Sequence, residues 1–472
     1  MENFLQIFGD ALLKITGFRK WFPVFFPFLK IPRFEKVLVN TIQFLAKSRL
    51  TKVVLLGYLL YAIVGWLVLQ LPICHAQKIT SLDNFFTAMS ATSTTGLATI
   101  DIGVKYSFLG QLVILLLIQF GGIAYMTFNT FIVLSTTSKL SSFKKNSLSA
   151  TFSLPPEFKI REFFLQSVAF TLVCELCGAI CLGCVFFHKG IENYVWNGIF
   201  HSVSAFCTAG LSLFPDSFMS FKYDFWINFC LFSLSLLGAI GFITWLDLYK
   251  RLTKKTAHLI FTTKVILGVT LGFLVLGTWA FLLSENFSLS GSLYEQILAA
   301  FFQVMTASTT VGFHTIDLGT LKPVSVALLI FLMVFGASPS GTGGGLKSTA
   351  FTALIGLAKS TFKRDTVVSI WKRTIPARRV HLATVIFLYY ASLLMFSVCI
   401  LVALEKKSAI ALVFEVASAV GTVGLSMGIT SALTGSGKVL ISLLMFMGKI
   451  GILTFGIAVA SQDIQERKTK TL

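Results

Sequence analysis

Four Thr-X-Gly triplets recur along the chain, and their glycines are suited to present backbone carbonyl oxygens to a cation. The triplets are Thr94-Thr95-Gly96, Thr208-Ala209-Gly210, Thr310-Val311-Gly312 and Thr422-Val423-Gly424. Glycine adopts backbone angles that aim successive carbonyls at one axis, and it leaves no side chain in the lumen. A ring of such oxygens replaces the hydration shell of an ion that has lost its water. The triplets therefore predict a selectivity filter for a monovalent cation.

The same short phrase precedes every triplet, which makes the pattern a fourfold internal repeat. A phenylalanine stands ten residues before each glycine, and a Ser/Thr-Ala pair lies between them. Small residues also favour close helix packing in membranes, but packing clusters do not recur in register four times. A repeated unit predicts near-equivalent walls around one axis. The four phenylalanines are Phe86, Phe200, Phe302 and Phe414.

The composition indicates a membrane protein with several spans. The 472 residues are 55% hydrophobic and 12% charged, with a mean hydropathy of +0.82. Eight apolar stretches are long enough for a hydrocarbon core of about 30 Å. They are residues 51–70, 107–134, 162–187, 224–249, 262–283, 324–358, 381–404 and 435–460. Between the two spans of each pair lies a stretch too short to cross, which predicts a re-entrant pore helix.

We therefore expect an all-α membrane protein in which four parallel repeats, each a span, a pore helix and a span, surround a pseudo-fourfold pore. Irregular backbone at membrane depth is tolerated where it is buried or lines a water-filled path, so the glycine turns should line the pore. The predicted segments are a cytoplasmic or interfacial stretch at 1–50, pore repeats at 51–134, 162–249, 262–358 and 381–460, and a tail at 461–472.

The net charge of +19 follows the predicted topology. Lys and Arg cluster in the segments on one side of eight spans, and the opposite loops carry few cations. By the positive-inside rule, both termini and the basic loops are cytoplasmic. This placement accounts for the charge without a nucleic-acid partner.

The third inner span is interrupted by a run rich in Gly, Ser and Pro at 336–349. Such a run cannot remain helical, and we expect the other inner spans to be continuous. The run predicts an unwound segment that gates the path beneath the filter. Its candidate gating residues are Gly336, Ser338, Gly341, Gly343, Gly344, Gly345 and Lys347. It also approaches a phosphate-binding loop, but Leu346 replaces the required glycine and no strand precedes it.

Three charged residues lie deep in apolar sequence. A charge at the depth of Lys449 usually faces a cavity or a partner, so we expect its ammonium to face the path, oppose cation flow and hold the gating segment. Glu415 is expected at the start of the fourth pore helix, where a negative charge suits the helix end. Glu175 is either a packing carboxylate or a coupling site.

The triplets, the broken third inner span and the deep cation Lys449 together resemble the Trk/Ktr/HKT superfamily of potassium transporters, and most closely its KtrB-type membrane subunits. The resemblance extends from about residue 45 onward. Departures are the order Pro339-Ser340-Gly341, Ala337 where Gly is common, and Lys at 449 where Arg is usual. It implies K⁺ at the filter glycines, since glycine rather than serine at Gly96 accompanies potassium transport. It also implies a homodimer in the bacterial plasma membrane with a cytoplasmic nucleotide-binding ring of KtrA/TrkA type.

Two alternatives remain at the level of sequence. On the same fold, Na⁺ is either the main substrate or the coupling ion for K⁺. A membrane-embedded enzyme would need converging catalytic groups, whereas the six histidines lack carboxylate partners at useful spacing. We therefore expect no enzyme and no covalent cofactor. The stripe Cys174, Cys177, Cys181 and Cys184 is read as helix packing rather than a metal site.

Overall fold

The computed structural model describes residues 50–138, 160–254, 258–285, 291–336, 338–339, 341–365, 367–371 and 373–450. Residues 61–453 form one compact unit, and the described residues outside it, 50–60, begin the first helix. The predictions for residues 1–49 and 461–472, and the positions Ala337 and Ser340, lie outside the described residues.

Fifteen α-helices and one short β-hairpin lie within the described residues. The helices are α1 Leu50–Leu69, α2 Ser81–Thr92, α3 Ile102–Lys105, α4 Phe108–Ser138, α5 Ile160–His188, α6 Tyr194–Phe206, α7 Phe225–Ile240, α8 Phe242–Leu252, α9 Phe261–Ser284, α10 Leu293–Thr309, α11 Pro323–Val334, α12 Ser348–Lys363, α13 Ala377–Leu404, α14 Ala409–Gly421 and α15 Gly435–Ile450. The antiparallel strands are β1 Ser369–Ile370 and β2 Arg373–Thr374. Four short 3-10 helices are Pro72–Cys74, Met219–Phe221, Leu318–Thr320 and Thr430–Ala432.

Three helices of the described residues are long and apolar enough to cross a membrane on their own. They contain the stretches Leu165–His188, Phe261–Ser284 and Arg379–Leu404. The bent pair α7 and α8 is a fourth candidate. Helices also occupy the other predicted spans, but there they are shorter, interrupted or extend beyond the part whose side chains are described. The eight-span arrangement therefore stays a prediction.

The second inner span is not the continuous helix that the sequence predicts. It bends by 98° between α7 and α8. Gly241 at the bend has φ +84° and ψ 154°, a conformation that only glycine adopts readily. The bend frees the last carbonyls of α7, and the interruption of the third inner span supplies donors to them. The amides of Ser338 and Thr342 donate to Ala239 O at 3.3 Å and to Gly238 O at 3.1 Å.

The third inner span is broken where the Gly/Ser/Pro run predicts a break. The helix α11 ends at Val334, and α12 begins at Ser348. The interruption covers residues 335–347, which we call the broken segment, and residues 337 and 340 within it are not described. The predicted run is 336–349. The Leu346 amide donates to Val334 O at 2.9 Å. This hydrogen bond joins the end of the broken segment to the end of α11.

The short helices pack in a closed cyclic order. Each of α2, α6, α10 and α14 contacts the helix that follows its own triplet, namely α4, α7, α11 and α15. Each of those four helices also packs against the short helix of the next unit, and α15 returns to α2. The repeat phenylalanines are buried within this arrangement, with exposures of 0 to 1%. The packing thus brings the ends of the four short helices together.

We predict that Gly198→Ala destabilises the fold through a close contact of α5 with α6. A methyl group there would lie 2.7 Å from Ala179 O and 2.9 Å from Gly183 N, and overpacking of this kind costs about 1–3 kcal/mol. The measurement is the thermal unfolding midpoint of the purified protein. Gly272→Ala in α9 is the matched control, because nothing lies within 4 Å of the added group. Equal midpoints for the two variants would contradict the close contact.

Candidate functional site

The four triplets adopt the same backbone conformation. The threonines that begin them all have left-handed φ, which is uncommon for a residue with a side chain. These angles are +49° at Thr94, +52° at Thr208, +58° at Thr310 and +49° at Thr422. The glycines also have positive φ, between +64° and +98°. Two successive bends of this kind turn the chain away from each short helix and require glycine at the third position.

The four glycines lie next to one another in a closed ring. A Cβ built on any one of them would collide with the carbonyl oxygen just before the next glycine and would lie 2.9–3.2 Å from that glycine's Cα. The blocking oxygens belong to Ala209 for Gly96, Val311 for Gly210, Val423 for Gly312 and Thr95 for Gly424. The order returns to its start, so the residues Gly96, Gly210, Gly312 and Gly424 are called the glycine ring.

The Ser or Thr of each repeat holds its glycine in place. The amides of Gly96, Gly312 and Gly424 donate to the hydroxyls of Ser90, Thr306 and Ser418 at 3.0–3.1 Å. In the second repeat the Ser204 hydroxyl instead donates to Leu211 O at 2.8 Å. This position belongs to the repeated Ser/Thr-Ala pair, for which the sequence alone indicates no function. Its fixed distance of six residues before the glycine is the signal that could have identified it.

A cavity of about 360 Å³ opens on one side of the glycine ring and is lined by all four glycines. Asp101, Asp317 and His314 also line it. Burial lowers the pKa of His314 in spite of the nearby Asp216 and Asp317, so its imidazole is neutral near pH 7. Neighbouring carboxylates with a neutral histidine give the cavity a negative potential, which attracts cations.

The aspartates at this mouth also shape the loops that carry them. The Asp101 carboxylate accepts from the Val104 amide at 3.2 Å and caps α3. The Asp317 carboxylate accepts from the Gly319 amide at 2.9 Å. Both residues therefore have a structural contact as well as a place in the cavity wall.

The broken segment lies against the other side of the triplets. The Thr342 hydroxyl accepts from the Thr208 hydroxyl at 3.1 Å. The Gly344 amide donates to the Thr310 hydroxyl at 3.3 Å. A Cβ on Gly344 would collide with the Thr422 hydroxyl, so only glycine fits there. Three of the four triplet threonines thus touch two positions of this segment directly.

Two lysines fasten the broken segment. Lys449 is 1% exposed, and its ammonium donates to Thr342 O at 2.7 Å and to the hydroxyl of Thr94. The Lys347 ammonium donates to Gly343 O at 2.7 Å. Lys449 therefore joins Thr94, the one triplet threonine not yet accounted for, to the same segment. These two lysine side chains bind adjacent peptide carbonyls on the side of the triplets opposite the cavity.

The deep carboxylates lie behind the triplets. Glu415 lies in the middle of α14, not in its first turn, so the expected interaction with the helix end is wrong. It accepts instead from Ser426 at 2.8 Å and from the hydroxyl of Thr430. Glu175 accepts from the Gln119 amide at 2.7 Å and from the Cys207 thiol at 3.6 Å. Glu175 thus contacts Cys207, the residue that precedes the second triplet.

An ion pair that the sequence does not indicate joins α15 to α2. The Lys438 ammonium of α15 lies 2.8 Å from the Asp83 carboxylate of α2. Burial raises the pKa of Asp83, but hydrogen bonds from Lys438, Thr80 and Thr99 and the charge of Lys438 bring it below its usual range. The partners are 355 residues apart, and no local spacing points to them.

Metal-ligand clusters are absent from the described part of the chain, where no three His, Cys, Asp or Glu residues are arranged around a common point. Cys177, Cys181 and Cys184 of the predicted packing stripe are exposed, and Cys174 is half-buried. All four have free thiols. These side chains therefore lie largely on the outer surface of α5.

Comparison with known proteins agrees with this geometry. Residues 61–468 match the sequence model of TrkH, described as a cation transport protein. This chain belongs to the TrkH family. It is 32% identical to the Ktr system potassium uptake protein B of Bacillus subtilis, with 87% of this chain and 93% of the relative covered. It is also 32% identical to the potassium/sodium uptake protein NtpJ of Enterococcus hirae, with 86% and 92% covered.

A solved structure matches the fold of this chain. The crystal structure of the potassium transporter TrkH from Vibrio parahaemolyticus superposes with a TM-score of 0.71 and covers 96% of this chain and 97% of its own. Sequence identity in that comparison is 18%, so it bears on the fold alone. This TrkH-family chain is thus a multi-pass membrane transporter with the family fold.

We predict that Lys438→Met destabilises this TrkH-family protein because it leaves the Asp83 carboxylate buried without its cation. The loss should be about 2 kcal/mol, typical of a charged hydrogen bond, and should appear as a lower unfolding midpoint at pH 7. A lowered carboxyl pKa stabilises the fold above the unfolded pKa of about 3.9. The gap between wild type and variant should therefore narrow as the pH falls below about 4.

The matched control for this prediction is Lys189→Met. Lys189 lies 2.6 Å from Asp224, but its side chain is 37% exposed, and exposed pairs contribute about 0–1 kcal/mol. An equal drop in both variants, or a gap that does not change with pH, would show that the Asp83 pair is not the cause.

Proposed function

We propose that this chain is the membrane subunit of a potassium uptake system and that K⁺ crosses through a gated, channel-like pore. The observation that carries the proposal is the closed glycine ring, which only a fourfold arrangement of backbone bends produces. Two relatives that this chain matches over more than nine-tenths of their length are named potassium uptake proteins. The ring residues are the ones that the repeat pattern selects.

In this proposal the triplet backbones form the selectivity filter. The carbonyls of Thr95, Ala209, Val311 and Val423 lie at the contacts between neighbouring glycines. Carbonyl dipoles held in a ring replace the water around a dehydrated cation. The short helices end at the triplets, so their negative ends add to the attraction for a cation. The outer cavity supplies cations to the ring.

The broken segment serves as the gate. It lies directly beneath the triplets and is rich in glycine, so it can change its path at low steric cost. Lys449 places a buried positive charge at the same level, which opposes a passing cation. Displacement of Thr342 and Gly344 from the triplet threonines would open the path.

The assembly part of the proposal comes from the family resemblance. Two copies would form a homodimer in the plasma membrane, with both termini cytoplasmic, over a cytoplasmic ring of nucleotide-binding subunits of KtrA/TrkA type. The basic clusters favour this orientation. Na⁺ transport, or coupling of Na⁺ to K⁺, is the second candidate, because the NtpJ relative is named a potassium/sodium uptake protein.

We predict that purified protein in liposomes takes up K⁺ in preference to Na⁺ and that Gly312→Ser reduces this preference about tenfold, the equivalent of about 1.4 kcal/mol. The serine Cβ would displace the Val423 carbonyl and strain a residue with φ +91°. Uptake of each cation alone, and of both together, is the measurement. It also separates K⁺ transport from Na⁺ transport and from coupled transport.

Gly428→Ser is the control for this substitution. Gly428 has φ +81° and lines the same cavity, but a Cβ there meets nothing within 4 Å. The preference of Gly428→Ser for K⁺ over Na⁺ uptake should equal that of wild type. An unaltered cation ranking in Gly312→Ser would remove the carbonyl-ring account of selectivity.

A second prediction concerns the charge beneath the filter. Lys449→Ala should raise K⁺ uptake about fivefold, because it removes a repulsion of about 1 kcal/mol and two bonds to Thr342 and Thr94. Lys449→Arg keeps the charge and should resemble wild type. Uptake that is the same in wild type and Lys449→Ala would reject a gating function for this lysine.

A further inference from the structure

Each pore helix carries a buried polar side chain that binds the segment just beyond its glycine. We call these segments the wings; they are residues 97–99, 211–213, 313–315 and 425–427. Each wing leads from the glycine ring into the wall of the outer cavity. The position of a wing therefore determines where the carbonyls on the outer side of the ring lie.

In three repeats the buried polar residue comes directly after the repeat phenylalanine. The residues are His201, Gln303 and Glu415, and all three are fully buried. Their chemical types differ, yet they share one helical register and one target. This agreement of position and partner indicates a common task rather than three unrelated buried polar groups.

His201 binds its wing through one nitrogen. Its Nδ1 lies 2.9 Å from Asn197 O. A carbonyl oxygen only accepts, so Nδ1 carries the proton and Nε2 is left as an acceptor. The Leu213 amide donates to Nε2 at 3.2 Å, and the Ser212 hydroxyl lies 3.1 Å from it. The imidazole also stacks on Phe214 at 4.7 Å between ring centres.

The third and fourth repeats use an amide and a carboxylate. Gln303 Nε2 donates to the Thr315 hydroxyl at 2.9 Å, and Thr315 is 1% exposed. The Glu415 carboxylate accepts from the Ser426 hydroxyl at 2.8 Å. Each contact joins the pore helix to the second or third residue after the glycine.

In the first repeat the residue that binds the wing lies one helical turn earlier in its helix. Its residue after the phenylalanine is Thr87, and the carboxylate of Asp83 reaches the wing instead. The Thr99 hydroxyl donates to Asp83 Oδ1 at 2.7 Å. Lys438 shares that oxygen, so this wing is also tied to the fourth repeat.

We propose that Asp83, His201, Gln303 and Glu415 are positioning residues that hold the four wings and thereby set the cation preference of the glycine ring. This rests on the proposed function. A carbonyl ring distinguishes ions by the number and field of its oxygens, and both depend on how firmly the wings are held. The bonds of the first and third repeats are buried, so water does not replace them when they are lost.

The test uses the bond between Gln303 and Thr315, since near-isosteric changes are available on both sides. Gln303→Met and Thr315→Val should each reduce the ratio of K⁺ to Na⁺ uptake in liposomes about fivefold, as expected for one buried hydrogen bond. The double variant should lose no more than either single variant. Thr315→Ser keeps the hydroxyl and should keep the wild-type ratio.

Thr278→Val in α9 is the matched control, because its hydroxyl bonds only within its own helix in the described contacts, at 2.6 Å from Leu274 O. If the Gln303→Met protein cannot be purified in folded form, Thr315→Val tests the same hydrogen bond from the side of the wing. A wild-type ratio in Thr315→Val, or an equal loss in Thr315→Ser, would overturn the inference. Wild-type protein without K⁺ uptake would instead overturn the proposed function.

Discussion

The closed contact among four glycine backbones is the constraint on which the rest of this structure depends. Each glycine faces the carbonyl oxygen before the next one, and a single added Cβ would break the circle. The contact forces left-handed backbone on the preceding threonines, which are strained positions for residues with side chains. Hydrogen bonds from each of the four short helices, α2, α6, α10 and α14, to its glycine or wing compensate for that strain. The repeat phenylalanines and small residues let four helices converge closely enough to maintain it.

The two irregular inner spans depend on each other. A bend at Gly241 exposes carbonyls at the end of α7, and exposed carbonyls are costly at membrane depth unless they are paired. The broken segment pairs them with the amides of Ser338 and Thr342. Gly341 allows this approach, since a Cβ there would collide with Ala239 O. The amides of the interrupted third inner span thus pair the carbonyls that the bend in the second inner span leaves free.

The parts of the site that the sequence made predictable are those repeated at a fixed spacing or marked by an extreme composition. The triplets recur in register, and the broken segment contains too many glycines to remain helical. The bend at Gly241 was missed because one glycine in an apolar run is common in membrane helices. Glu415 was placed wrongly because its helix begins at Ala409, five residues before the phenylalanine that opens the repeat phrase. The wing contacts were missed because the residue types differ among the repeats and the first repeat uses Asp83, one helical turn earlier than the others.

The peptide carbonyls that bind two lysines next to the triplets bear on how the gate proposed beneath the filter would open. Lys449 and Lys347 both donate to peptide carbonyls of the broken segment. Separating a buried ion pair leaves an uncompensated charge on each side, which is strongly unfavourable. Separating an ammonium from a carbonyl leaves only one charge to be hydrated, and a hydrated path beneath the filter would supply that water. These two carbonyl contacts are therefore of a kind that the proposed gate can make and break repeatedly.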